Sequence, residues 1–491
     1  MTVTWLADRR AVPLLLFLLV WLSTGWFGSW ELNPNNSTRL FAAISLAEQG
    51  DATIDEFAPL TIDKAQFDGH VYLDKAPGMT LLATPVVAAA YAATGQGARA
   101  LTKEIGDPGF ARYLRLRLRL AAWLVTGLIT ALATVALWSF ARALTGDEDA
   151  ALFAALAYAI ATPMWGWSTT LFGHAPVAGL WMIAIWAIWR GTQARASRRL
   201  ALVAGAALGW AVAIEYQAVL GGTVIALWAL ARLWRRPGAV AAAACAIAGG
   251  ATALAALIGY NLLAFGVIFR LGYSGVVGFE GMQQGFFGLT YPKPLVLIAL
   301  LFGVRRGLIW VAPVLLRSGF GLATLWRRER ALAAMLIALA LTVLLVNSAY
   351  VYWDGGYSTG PRHSVPAITP LVIALAVMWT TLRTRIGKAA ALALLALSAA
   401  VNLVITATDM FAPDDAPFPL WDPILKVDFA NGAFRDLPGV FWGWSHWSGL
   451  ALYGLVAGAL LAALLAAHRT RQRAYANIYR TNGAARHPAK A

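Results

Sequence analysis

The sequence predicts an all-α polytopic membrane protein, a helical bundle of about twelve transmembrane helices with a long first loop on the extracytoplasmic face. Three observations carry this expectation. Hydrophobic residues make up 59% of the 491-residue chain and charged residues only 13%, against roughly 25% charge in a soluble domain. Apolar stretches of the ~20 residues needed to cross ~30 Å of hydrocarbon recur along nearly the whole length, and the short alternating strands of a closed barrel do not occur. Lys and Arg collect between those stretches, so the net charge of +15 reflects loops biased to the cytoplasmic side and not a nucleic-acid partner.

The first apolar segment, Pro13 to Trp30, follows the run "DRR" and has no small-residue cleavage site, which reads as a retained helix and not a removed leader. Basic clusters at Arg9 and Arg10, Arg112 to Arg119, Arg195 to Arg199, Arg232 to Arg236, Arg327 to Arg330, Arg383 to Lys388 and Arg469 to Lys490 are all read as inside. Further spans then run from Met79 to Gln96, Ala201 to Glu215, Ala218 to Trp234, Ala239 to Ala264, Gly307 to Trp326, Ala331 to Tyr350, Val365 to Leu382, Ala389 to Ala407 and Trp447 to Ala467. Between Arg119 and Arg195 three apolar segments occur, Leu120 to Ala141, Ala150 to Trp165 and Phe172 to Trp189, where two inside clusters require an even number. One of the three is therefore expected not to span. The single cysteine, Cys245, lies in an Ala-rich helix, so no disulfide framework is expected. The small residues of "GAVAAAACAIAGGATALAALIG" suit close helix packing.

The membrane domain is expected over 1–467, followed by a basic, disordered cytoplasmic tail over 468–491 that meets anionic headgroups. Its outer loops are unusual. The first, 31–78, is long, acidic and rich in apolar residues, which favours a functional, ordered loop. Others cover 265–294, 351–364 and 408–446. Cations on this face run against the charge bias and ask for local reasons. Lys75, Arg305, Arg306 and Arg362 sit where a loop meets a helix, a depth at which a cation holds an anionic headgroup or simply snorkels to lipid phosphate.

The order of several short motifs resembles a known group. They are the acidic first loop ending in "YLDKAPG", then "GYNLLAFG" followed by "GFFGLTYPKP", then "RRGLIWVAPVLL" and "YWDGGYSTGPRHSVPAITPL". From about Pro13 to Pro370 the chain resembles membrane glycosyltransferases of the GT-C superfamily, nearest to glycosyltransferase family 39, with its protein O-mannosyltransferases and related aminoarabinose transferases. The resemblance implies transfer of a sugar from a polyprenyl-phosphate donor to a glycan, lipid or protein acceptor on the extracytoplasmic face, with inversion. Such transfer asks for a carboxylate base and for positive charge on the leaving phosphate. No cofactor is implied with certainty, and a divalent metal is compatible with the acids of that face.

Family members carry an Asp-Glu pair soon after the first helix, where this chain has Asn36 and Ser37 and keeps Arg39 as a substrate contact. An amide is no base, so the role passes to another loop carboxylate: Asp63 first, then Asp55 and Asp74. By match to the family's "Y-L-E-K-P-P" element, Lys75 contacts the donor phosphate and Asp74 orients it; the plain alternative is an exposed ion pair worth ~0–1 kcal/mol. Arg306 and Arg362 offer guanidinium forks to phosphate, with His363 beside Arg362. Substrate contacts are expected from His174, Glu215, Tyr291, Asp354 and Tyr357. His174 also reads as an ordinary interfacial histidine, and aromatic residues are common at any bilayer interface. No P-loop, HExxH or paired-cysteine motif occurs. The competing functions are a lipid-linked sugar flippase or transporter, for which mid-helix charges and repeated halves would speak, and a structural subunit, which leaves the loop charges without a purpose.

Overall fold

Ala- and Leu-rich segments between turn residues fold as helices, and one two-stranded hairpin is the sole sheet among the described residues. The structure is a computed structural model that describes residues 10–28 and 30–484, with side chains as far as Arg473. The longer helices are α1 (Ala11–Trp26), α2 (Pro34–Gln49), α3 (Gly78–Thr94), α4 (Pro108–Thr145, with a π-helical turn at Ala122–Gly127), α5 (Glu148–Ile160), α6 (His174–Gly191), α7 (Arg198–Ile214) and α8 (Ala218–Leu233). After them come α9 (Ala239–Phe265), α10 (Pro294–Phe302), α11 (Ser318–Arg328), α12 (Arg330–Ala349), α13 (Ile368–Trp379), α14 (Arg385–Ala407) and α15 (His446–Ala484). Among the described residues six helical stretches are long and apolar enough to cross a membrane: α4, α9, α12, α13 with the 3₁₀ turn before it, α14 and α15. The chain is an integral membrane protein, as expected.

Charge bias misplaces one cluster. Arg119 is buried and donates to the carbonyls of Gly25, Trp26 and Gly28 at the C-terminus of α1, Arg115 pairs with Glu31 at 2.8 Å, and Arg117 pairs with Glu48 at 3.4 Å. These arginines therefore stand at the loop end of the bundle, the end read as outside. At the opposite end Arg232 donates to Thr192 and Arg471 pairs with Glu148. Going from Arg119 to Arg195 the chain must now traverse the bundle an odd number of times, and α4, α5 and α6 are three. The parity conflict disappears.

The same contacts overturn the reading of Met79 to Gln96 as a span. Gly78, at the start of α3, packs against the backbone of Ala213 and Ile214, and a Cβ there would clash. Past its other end, the Gln96 carbonyl accepts from Arg117 and the Ala98 amide donates to Glu48. Both ends of α3 are tied to the loop end, so α3 and its neighbour α2 lie across that end. The stretch Gly307 to Trp326 is not one helix either. It breaks into Leu308–Val311, a 3₁₀ turn at Pro313–Arg317, and α11, because Pro313 has no N–H to continue the ladder. The helix α15 runs to Ala484, through most of the stretch expected as a disordered tail; residues 485–491 lie outside the described residues.

Small residues pack as expected in one place. Added Cβ atoms at Gly205 or Gly249 would run into the backbones of Ala246 and Leu202, so α7 and α9 approach at backbone distance.

Two loops interlock over the end where α2 and α3 lie. Strands β1 (Ala65–Phe67) and β2 (His70–Tyr72) pair antiparallel around Asp68 and Gly69, both with positive φ, as a two-residue Asp-Gly turn demands. Ala65 bridges to Val276, the Val277 amide donates to the Lys64 carbonyl, and Gly272 packs on the backbone of Leu73 and Asp74. The 266–293 segment thereby becomes a cover over the first loop.

Candidate active site

Beneath this cover lies a cavity of about 160 Å³ whose walls come from α2, the first loop, the end of α7, the cover and the 350–363 turn. On the α2 wall Arg39, 1% exposed, donates to Glu215 at 2.8 Å and to the Asn35 side chain. Asn33 caps α2 by accepting from the Asn35 amide, with Pro34 in the first turn. Glu215 follows the last turn of α7, where Gly173 leaves room for its carboxylate.

The first loop supplies Asp63, Asp74 and Lys75. Lys75 stands between the two acids, 3.3 Å from Asp63 and in contact with Asp74. Burial pushes the Asp74 carboxyl above the ordinary range, with Asp63 adding to the rise against the pull of Lys75. Burial alone would lower the Lys75 ammonium, but Asp74 and Asp63 outweigh it and hold the pKa above the usual lysine value. Lys75 is therefore charged at neutral pH.

Arg362 forms the opposite wall. Its guanidinium lies 5.0 Å from the Phe172 ring centroid, and among the described residues no carboxylate stands within ion-pair distance of it. His363 packs edge-on to His174 at 4.9 Å and to Tyr350 at 5.5 Å between ring centroids. Gly355 and Gly356, with φ of 78° and 58°, bring bare backbone to the cavity, and a Cβ on Gly355 would meet the Arg362 side chain at 2.9 Å. Three cations, Arg39, Lys75 and Arg362, thus face three acids, Asp63, Asp74 and Glu215, and only Arg362 has no acid of its own. From the cavity a smaller apolar chamber continues between α6, α8 and α12, walled by Val177, Trp181, Gly221, Val343 and Val346.

Of the expected site residues, the cavity brings together Asp63, Asp74, Lys75, Arg39, His174, Glu215, Arg362 and His363. Arg306 and Asp354 stand behind its wall. Arg306 is 1% exposed and donates to the carbonyls of Asp354 at 2.7 Å and Gly356 at 2.6 Å, so its fork fastens the glycine turn. Asp354 pairs with Arg305 at 3.2 Å and accepts from the Gly356 amide. Arg306→Lys, which keeps the charge but not the fork, is expected to lower stability by roughly 1–3 kcal/mol, read by thermal unfolding in detergent. Asp55, Tyr291 and Tyr357 do not line the cavity: Asp55 holds the hairpin through His70 at 2.7 Å and the Val71 amide, and the two tyrosines are largely exposed.

Asn36 and Ser37, at the position of the relatives' acids, are fully buried. Asn36 accepts from the Leu171 amide and donates to the Trp30 carbonyl, and Ser37 donates to the Glu31 carbonyl. They join α2 to neighbouring loops and do not line the cavity. Lining residues not anticipated include Asn35, Gln217, Tyr273, Met282, Tyr350 and Tyr352. The Asp68-Gly69 pair is a local signal that could have found the hairpin that draws the cover inward. Among the described residues no group of three or more His, Cys, Asp or Glu side chains is placed to hold a metal ion.

Residues 113–258 match the family model described as dolichyl-phosphate-mannose-protein mannosyltransferase. Among solved structures the chain is similar to ArnT from Cupriavidus metallidurans bound to undecaprenyl phosphate, with a TM-score of 0.53 at 16% identity, covering 94% of this chain and 76% of that one. The same protein in the apo state gives a TM-score of 0.50 at 17% identity, over 94% and 77% of the two chains. At that identity the likeness is one of fold. No curated protein sequence matches the chain.

Proposed function

We propose that the chain is a membrane glycosyltransferase of the GT-C superfamily, a reading that the family-model match over 113–258 and the ArnT-like fold support, and that it transfers a sugar from a polyprenyl-phosphate donor to a hydroxyl acceptor on the extracytoplasmic side. About twelve spans carry the loops to that face. One observation supports the reading above all: Arg362 lines a buried cavity with no carboxylate partner, beside a Lys75 already charged. A desolvated guanidinium without a counterion is a standing site for an anion.

The donor phosphate lies between Lys75 and Arg362, and the chamber between α6, α8 and α12 takes the first part of the prenyl chain. Asp63 accepts the proton of the acceptor hydroxyl as its oxygen bonds to C1 of the sugar. The bond from C1 to the phosphate oxygen breaks, its electron pair leaves with polyprenyl phosphate, and the configuration at C1 inverts in this one displacement. Lys75 and Arg362 stabilise the charge that develops on the leaving oxygen. Asp74, held behind Lys75, positions the ammonium.

Purified protein in nanodiscs, given a radiolabelled polyprenyl-phosphate sugar with water or an added saccharide hydroxyl as acceptor, is expected to release polyprenyl phosphate. Arg362→Gln should weaken donor binding by ~10–100-fold, the loss of a charge-assisted contact. Movement of the intact donor across the bilayer without cleavage at C1 would instead identify a flippase and end this reading.

A further inference from the structure

Glu215, past the last turn of α7, lines the first cavity, and the first turn of α7 lies about 25 Å away at 1.5 Å per residue. At that far end six arginines stand on the two turns that flank α7 and α8: Arg195, Arg198, Arg199, Arg232, Arg235 and Arg236. The turns are joined, the Ala196 amide donating to the Pro237 carbonyl at 3.0 Å. Among the described residues none of the six has a carboxylate within ion-pair distance. Arg198 and Arg199 open α7, where the helix dipole disfavours cations, and no acid occupies that first turn. Arg232 donates to the Thr192 hydroxyl at 2.7 Å and lies over the Trp189 ring at 4.4 Å. Such a cluster repels itself unless an anion joins it.

From this cluster a groove of about 460 Å³ runs back between α6, α7, α8 and α9. Thr192 and Ser197 stand at its basic end, and the lining then continues through apolar side chains, reaching along α8 from Leu233 to Val219, about 21 Å. A Cβ added at Gly222, on that wall, would meet nothing within 4 Å. The neighbouring Gly221 faces the other way, into the chamber beside the first cavity. Since α7 and α9 already meet at backbone distance, the groove is the space left between that pair and α8.

A volume of this size along this length takes one extended hydrocarbon chain and excludes a second helix, about 10–12 Å across. A prenyl chain threaded here would bring no charge to the arginines. We propose that the groove holds one acyl chain of an anionic diacyl phospholipid from the leaflet at that end, with the phosphate among Arg198, Arg199 and Arg232 and the second chain in the bilayer. Half of a ~30 Å hydrocarbon core is about 15 Å, so the groove is long enough for a chain of that leaflet. The lipid fills the gap behind α8 and steadies the helix that gives Ala218 and Gly221 to the chamber. This site is independent of the reaction in the first cavity.

Native mass spectrometry of the full-length protein in detergent, titrated with dioleoyl phosphatidylglycerol or dioleoyl phosphatidylcholine, tests the site. Phosphatidylglycerol should bind at one saturable site at least tenfold more tightly than phosphatidylcholine, which has the same chains and no net charge. Gly222→Leu, which fills the groove, and the double change Arg198→Gln with Arg199→Gln should each weaken that binding at least tenfold. Arg383→Gln with Arg385→Gln removes two exposed arginines outside the groove and should leave it within twofold. Ala226→Phe, on the same wall, repeats the groove test should Gly222→Leu fail to fold. Equal binding of the two lipids, undiminished binding in the groove variant or in Arg198→Gln with Arg199→Gln, an equal loss in the control, or displacement of phosphatidylglycerol by uncharged polyprenol overturns the proposal.

Discussion

Asp63→Asn is expected to lower sugar transfer by roughly 10²–10⁴-fold, the usual contribution of a positioned general base, while the protein keeps its fold and its affinity for polyprenyl phosphate. Three loop carboxylates compete for the role, and their surroundings differ. Asp55 faces away from the cavity and is engaged by His70 and the Val71 amide. Asp74 is 1% exposed and in direct contact with Lys75, which keeps its carboxylate engaged. Asp63 lines the cavity, and its link to Lys75, at 3.3 Å, is the longer of the two that Lys75 makes. In the proposed mechanism Lys75 turns to the phosphate and releases Asp63 to the acceptor hydroxyl. The asparagine is isosteric and leaves Lys75 paired with Asp74, so stability should change by no more than about 1 kcal/mol. The measurement is single-turnover release of polyprenyl phosphate from labelled donor, with thermal unfolding alongside. A loss below tenfold, or a greater loss in Asp74→Asn than in Asp63→Asn, removes Asp63 from the base position.

The membrane class and the charged cavity residues were legible because each rests on a local property. Apolar length marks the spans, and Lys75 and Arg362 stood out as cations against the charge bias. That same bias misled at Arg115, Arg117 and Arg119, since it counts arginines without asking what they bond to. Arg119 satisfies three carbonyls at the end of α1, and Arg117, fully buried, lies over the Tyr113 ring at 3.5 Å while pairing with Glu48. Nothing in composition separates such structural arginines from those that stay with lipid headgroups. The reading of α3 as a span followed from that error, because one misplaced cluster requires one extra crossing.

The remaining walls were out of reach for another reason. Tyr273, Phe279 and Met282 reach the cavity because Val276 bridges to Ala65, a pairing across more than two hundred residues that no local pattern announces. Arg306 looked like a phosphate ligand by type and position, yet the carbonyls of Asp354 and Gly356 claim its fork. Whether an arginine is spent on its own backbone is a property of the folded turn, and the positive-φ glycines Gly355 and Gly356 create that turn.

Lys75→Met should be the most damaging single change at the site, for stability as well as for turnover. It leaves Asp63 and Asp74, 7% and 1% exposed, facing one cavity without their shared cation. Removing one partner of a buried ion pair costs about 3–5 kcal/mol, and transfer should fall below detection because the phosphate loses a charged ligand. The sign of the pH dependence separates this cause from mere loss of packing. Without Lys75 the Asp74 carboxyl, already raised, rises further, so the folded state binds a proton more tightly than the unfolded chain, whose carboxyl titrates near 4. The deficit should therefore be smallest below about pH 4 and should grow as pH rises through the folded value. Lys75→Met combined with Asp74→Asn removes the uncompensated charge, and should recover most of the lost stability without recovering turnover. Thermal unfolding from pH 4 to 8, with donor release measured at each pH, checks both halves. A deficit independent of pH, or one unrelieved by Asp74→Asn, would mean that Lys75 acts by filling space and not by neutralising the two acids.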